Sequence, residues 1–99
     1  YTMYVATAQV TIHLFESYSL KDKRQVTRSV LARLREKFAV SAAEVGALEE
    51  WNLARLGLAC VSGEAQHAQE VIERAVRYIE QSRPDVEITD DTRDVITLE

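Results

Sequence analysis

"YVATAQVTIHL", residues 4–14, alternates without a break. Ala6, Ala8, Val10, Ile12 and Leu14 fall on one side; Val5, Thr7, Gln9, Thr11 and His13 fall on the other. Successive side chains of a strand point to opposite faces, so this stretch reads as a strand with one buried face. Downstream, Ser19 is placed to cap a helix, with Asp22 as a short-armed relative of the capping-box acid. Leu20, Val30, Leu31, Leu34 and Phe38 then recur at helical spacing, so the first helix runs to residue 38. "AVSAAEVG" (39–46) reads as a short strand, "ALEEWN" as a turn, and "LARLGLACVS" (53–62) as a strand apolar on both faces near its end. A second helix follows from about 64 to 81, its stripe made by Ala68, Val71, Ile72, Ala75, Val76 and Ile79. Pro84 stops it and "VEIT" restarts a strand. In the acidic tail (90–99), Val95, Ile96 and Leu98 either extend the sheet or fray.

The order β-α-β-β-α-β predicts an α/β (α+β) sandwich of the ferredoxin-like type. The expected sheet is antiparallel, in the order 4-1-3-2, with two helices on one face. Residues 1–99 are read as one such domain, since 99 residues supply one core but not two. This topology gathers the start of helix 1, the ends of strands 1 and 2, and the 46–52 loop at one edge. His13, Lys21, Lys23, Arg24, Glu44 and Trp51 are expected along it.

Composition narrows the class. A hydrophobic fraction of 46% with 28% charged residues excludes a disordered chain. One cysteine excludes an internal disulfide and a cysteine-rich metal knuckle, which fits a reducing compartment. Neither a membrane-length apolar run nor a secretion signal is read, so a cytoplasmic location is expected. Met3 is the expected natural start, with Tyr1 and Thr2 extraneous to it.

The net charge of −4 conceals an asymmetry. Residues 19–38 hold seven of the twelve Lys and Arg and only two of the sixteen acids, a local excess of five positive charges. A bound polyanion responds to that nearby field, because salt screens distant charge. At about 100° per residue, Lys21, Arg24, Arg28 and Arg35 lie within about 60° of one another, a stripe down the exposed side of helix 1. A solvated helix face is the ordinary reading of such a stripe. Against it, cations in a first turn oppose the helix dipole, at roughly 0.3–1 kcal/mol each when exposed. Free backbone N–H groups there, joined by these side chains, would suit a phosphate. Lys23 instead points towards the core side. It must meet a carboxylate, and Glu44 at the facing end of strand 2 is the expected partner of a structural ion pair.

Trp51 joins the candidate RNA-contacting residues, since with Tyr18 it could stack on unpaired bases. Its favoured position, however, is as a plug under its own loop. The aromatic platform of RNA-recognition modules is missing from strands 1 and 3, where Thr7, Gln9, Thr11, Gly57 and Ala59 stand instead. His13 and His67 form no metal signature, and Cys60 reads as a buried thiol. Glu49 and Glu50 lack a basic partner for acid–base work, and no nucleophile or phosphate-loop motif is present. No catalytic residue, metal or cofactor is expected.

Three motifs carry a resemblance: "SLKDKR" (19–24), "KFAVSAAEVG" (37–46), and Trp51 followed by "LGLACVS" (56–62). In this order and spacing, across about residues 4–89, the chain resembles the YlxP-like family of small bacterial proteins of unknown function. The resemblance implies a ferredoxin-like fold and no activity. Genes of that family often neighbour those for translation initiation and ribosome maturation, which implies a place near the ribosome. Its motif falls on Ser19, Leu20, Lys21, Lys23 and Arg24. The "ALEEWNL" stretch and the longer acidic tail depart from it.

The leading expectation is a non-enzymatic binding protein that contacts ribosomal or other structured RNA through the basic start of helix 1. The other expectation is a protein–protein adaptor or homodimer, using the sheet face that no helix covers, with Val5, Ala59 and Val61 on it. Neither a membrane nor DNA is an expected partner.

Overall fold

The computed structural model describes all 99 residues, from Tyr1 to Glu99. The elements are β1 (Met3–Leu14), α1 (Leu20–Lys37), β2 (Ser41–Gly46), β3 (Leu53–Ser62), α2 (Ala65–Ser82) and β4 (Val86–Leu98). They form one four-stranded sheet in the order β2-β3-β1-β4, with every neighbouring pair antiparallel. This is the order 4-1-3-2 read from the other edge. The tail settles as strand: β4 runs on to Leu98, pairing Leu98 with Met3 and Ile96 with Val5.

The alternation in β1 works as its spacing dictates. Ala6, Ala8, Val10, Ile12 and Leu14 are all buried, while Val5, Thr7, Thr11 and His13 are half-buried and Gln9 is exposed. Against the buried row lie Ala54, Leu56, Leu58 and Cys60 of β3, in direct register. α2 supplies its whole predicted stripe, with Ala68 and Ala75 fully buried and small enough for the helix to lie close on β1 and β3. α1 contributes Val30, Leu31 and Leu34 over β2 and β3. Fully burying a side chain such as Ile72, Ile79 or Leu34 contributes about 1.5–3 kcal/mol before ordering costs.

Two irregularities shape the edges. The β2–β3 register shifts between Glu44 and Gly46, leaving Val45 as the extra residue. Val45 then leans across Gly57, where a Cβ would come within 2.9 Å of its Cγ1. A side chain at 57 would have to displace it. The β1–β4 register shifts between Thr11 and Ile12, and Thr89 is the extra residue there. No helix is long and apolar enough to cross a membrane.

Candidate functional site

Lys23 sits in the first turn of α1, yet its side chain is only 1% exposed. Its ammonium meets two carbonyl acceptors and one carboxylate at ion-pair distance. Nζ donates to the carbonyl oxygens of Ala47 (2.6 Å) and Leu53 (2.9 Å), and lies 2.9 Å from Glu44 Oε2. One side chain from α1 therefore grips the end of β2, the turn after it and the start of β3. The turn needs a grip, because Ala47 adopts a left-handed backbone (φ 59°) that a residue with a Cβ disfavours. Ala47 O also accepts from Glu50 N at 3.0 Å. At the far side of the loop, Leu14 N donates to Asn52 O at 2.9 Å, and the buried Ser17 hydroxyl donates to Trp51 O. The 46–52 loop is thus tied to β1, to the α1 entry and to β3.

The start of α1 is capped from within. Ser19 Oγ accepts from Asp22 N at 3.1 Å, and Asp22 Oδ2 accepts from Tyr18 N at 3.1 Å. That reciprocal arrangement is the capping the sequence predicts; it takes up the Asp22 amide and sets a carboxylate at the helix tip, so the cationic side chains carry most of any anion site here.

Lys21, Arg24 and Arg28 are those side chains. All three are exposed on α1, and none takes part in any of the five ion pairs of the molecule. Arg35 differs from its expected role. Its guanidinium donates to Ala42 O through Nε (3.1 Å) and Nη2 (2.5 Å), bracing α1 to the β2 edge. The helical angle placed it in the stripe; the bend of its side chain towards β2 takes it out.

Trp51 also departs from its favoured position. It is 46% exposed, and its indole stacks on Tyr18 with ring centroids 6.3 Å apart and planes 28° apart. The volume under the loop is already taken by Lys23, its carbonyl partners and Ser17, which leaves the indole outside. Tyr18 is 75% exposed, so the stacked pair presents an aromatic surface beside the α1 entry. The two rings stand 33 positions apart in sequence, and only the topology joins them. Glu49 and Glu50 are exposed on the same loop and bound the patch on that side.

Elsewhere the titratable groups hold elements together. His13 packs edge-on against Phe15, and His67 is exposed in the first turn of α2. Cys60 is buried, and desolvation raises its thiol pKa, which keeps the reactive thiolate scarce. Arg93 joins β4 to α2 by pairing with Asp91 at 2.8 Å and with Glu73. The Arg93 hydrogen bond holds the Glu73 carboxyl below its ordinary range.

Comparison with known proteins agrees with this fold and carries no activity. A family model described as "Protein of unknown function (DUF503)" matches residues 5–93. "Uncharacterized protein YlxP" of Bacillus subtilis (strain 168) is 31% identical over 85 residues, which cover 86% of this chain and 91% of that protein. Among solved structures, the chain is similar to LarC2, the C-terminal domain of a cyclometallase involved in the synthesis of the NPN cofactor of lactate racemase, in its apo form. The TM-score is 0.50 at 7% identity, and the likeness spans all of this chain but 58% of the other. At that identity it is a likeness of fold alone.

Proposed function

The chain belongs to the DUF503 family of proteins of unknown function, and from that premise we propose that it is a non-enzymatic, cytoplasmic binding protein that associates with ribosomal or other structured RNA through the start of α1. The observation that carries this reading is the contrast among its cations. Lys23, Arg77, Arg83 and Arg93 meet carboxylates; of the exposed cations that do not, Lys21, Arg24 and Arg28 cluster at the start of one helix, while Arg33, Lys37, Arg55 and Arg74 lie off that stripe. Arg24 and Arg28, one turn apart, each offer a planar fork suited to phosphate oxygens. The exposed Tyr18–Trp51 stack at the same end supplies a surface on which an unpaired base could lie.

Binding of this kind tracks the phosphate backbone and weakens with salt. Three neutralised phosphates give a slope of log K against log salt of roughly −2 to −3. In the doubly reversed variant Arg24→Glu/Arg28→Glu, co-sedimentation with ribosomal subunits should be lost while the circular dichroism spectrum is unchanged. Undiminished co-sedimentation by that folded variant would overturn the reading and favour an adaptor with no nucleic-acid role.

A further inference from the structure

The face of the sheet opposite the helices has an end that is apolar and uncovered. The registers place Val61 of β3, Val5 of β1 and Ile96 of β4 side by side across three strands, with Met3 and Leu98 in the next row. Val61 is 62% exposed, and Met3, Ile96 and Leu98 each exceed 40%. Moving along the face, the rows become small and polar: Ala59, Thr7 and Asp94, then Gly57, Gln9 and Thr92. The far end is charged, with Arg55 and Asp90 flanking Thr11.

We propose that this face is a homodimer interface, covered by the same face of a second copy of the chain. Its dimensions and its charge pattern both favour that occupant. Four strands spaced about 4.8 Å, and about nine residues rising about 3.3 Å each, give a face of roughly 600 Å². Two copies together bury about 1,200 Å², the lower bound for a stable, specific interface. The face is also self-complementary about a two-fold axis parallel to the strands. Such an axis lays the order β2-β3-β1-β4 of one copy over β4-β1-β3-β2 of the other. Apolar rows then meet apolar rows, with Val61 over the partner's Val5. Asp94 of β4 then lies over Ser41 of β2 and Asp90 over Gly46, so the open-face aspartates do not meet one another. An axis perpendicular to the strands would press the apolar end onto the charged one. Ala43, Ala59 and Thr7 keep the middle low enough for two twisted sheets to approach to the usual spacing of about 10 Å, and Val45, which covers Gly57, adds an apolar side chain to the contact.

The sheet edges are poorer candidates for self-association. β4 exposes Glu87, Asp90, Asp91 and Asp94 in its run, a like-charge barrier to a second β4. Along β2, the Arg35 guanidinium already occupies Ala42 O, and the Val45 bulge interrupts the ladder.

The test is sedimentation equilibrium of the whole chain from 1 to 100 μM, at low and high salt. The wild type should approach twice its chain mass of 11.2 kDa. An interface held by apolar rows should persist in high salt, which also separates this result from the salt-sensitive RNA reading. Val61→Asp and Ile96→Asp should each shift the protein to the mass of one chain, with circular dichroism reporting an unchanged fold. A wild type monomeric at 100 μM would overturn the proposal and leave the face to a different protein. So would a wild-type dimer that survives both substitutions in folded variants, because pairing would then run along an edge.

Discussion

Lys23 is the residue on which the largest number of separate segments depends. A carboxylate of β2 and two carbonyl acceptors, from the following turn and from β3, surround one ammonium that is almost wholly removed from water. Truncating one partner of such a pair leaves the other charge and two carbonyls without compensation, which costs about 3–5 kcal/mol. Lys23→Met keeps the length and apolar stem, so its cost isolates the ammonium. We expect a loss of about 3 kcal/mol in urea denaturation, partly recovered in Lys23→Met/Glu44→Gln, where no charge remains stranded. A loss below about 1 kcal/mol would mean that the pair behaves as a surface ion pair. The inward turn of this lysine was legible in the sequence, because helical geometry put it on the apolar side of α1 and left Glu44 within reach. The carbonyl grip was not. Backbone acceptors carry no signature in a sequence, and the left-handed Ala47 gives no warning where glycine or asparagine is the usual occupant.

At the scale of elements, the fold was readable wherever one face is apolar and failed where charge occupies both. β1, α1, β3 and α2 announce themselves by period, and their observed bounds lie within a residue or two of those the spacing predicts. β4 does not, since "DDTRD" places Asp91 and Arg93 on the helix side and Asp90, Thr92 and Asp94 on the other. The inward charges are satisfied by each other and by Glu73 of α2, so an ion-pair cluster replaces apolar packing at that end. A second clamp lies where α2 ends. Arg83 donates to both oxygens of Asp85, at 3.0 and 2.8 Å, and reaches Ser29 of α1 at 3.3 Å, joining the two helices to the entry of β4. The Arg83 hydrogen bonds hold the Asp85 carboxyl below its ordinary pKa of 3.8. A carboxyl depressed by folding contributes stability above its unfolded pKa and loses it as pH falls through the folded value. For this partly exposed pair, solvent screening reduces the contribution to roughly 1 kcal/mol. As pH falls below about 4, denaturation of the wild type should therefore lose more stability than that of Asp85→Asn. Parallel curves for the two proteins would assign the clamp no net role.

On the scale of the whole molecule, the unpaired cations at the start of α1 and the apolar end of the open face lie on opposite sides of one sheet. The helices, and with them Lys21, Arg24 and Arg28, lie on one face; Val61 and Ile96 lie on the other. If the open faces pair as proposed, the layers run helix, sheet, sheet, helix, and the two α1 stripes point outward on opposite sides. With layer spacings of about 10 Å, roughly 30 Å separates the two α1 axes, and the stripes lie farther apart by up to about a helix diameter. A dimer so built is bivalent towards RNA, and the sheet face affects RNA binding without touching RNA. Fluorescence anisotropy should reveal this with two ligands: a single hairpin, and two copies of that hairpin joined by a flexible single-stranded linker long enough to span the dimer. Val61→Asp should bind the single hairpin within about twofold of the wild type, because it leaves α1 unaltered. On the tandem RNA the wild type should gain on the order of 10²-fold over the single hairpin, and Val61→Asp should lose that gain. Loss of single-hairpin affinity in Val61→Asp would place RNA on the open face itself. Equal tandem gains in both proteins would show that two outward stripes are not joined through the sheet.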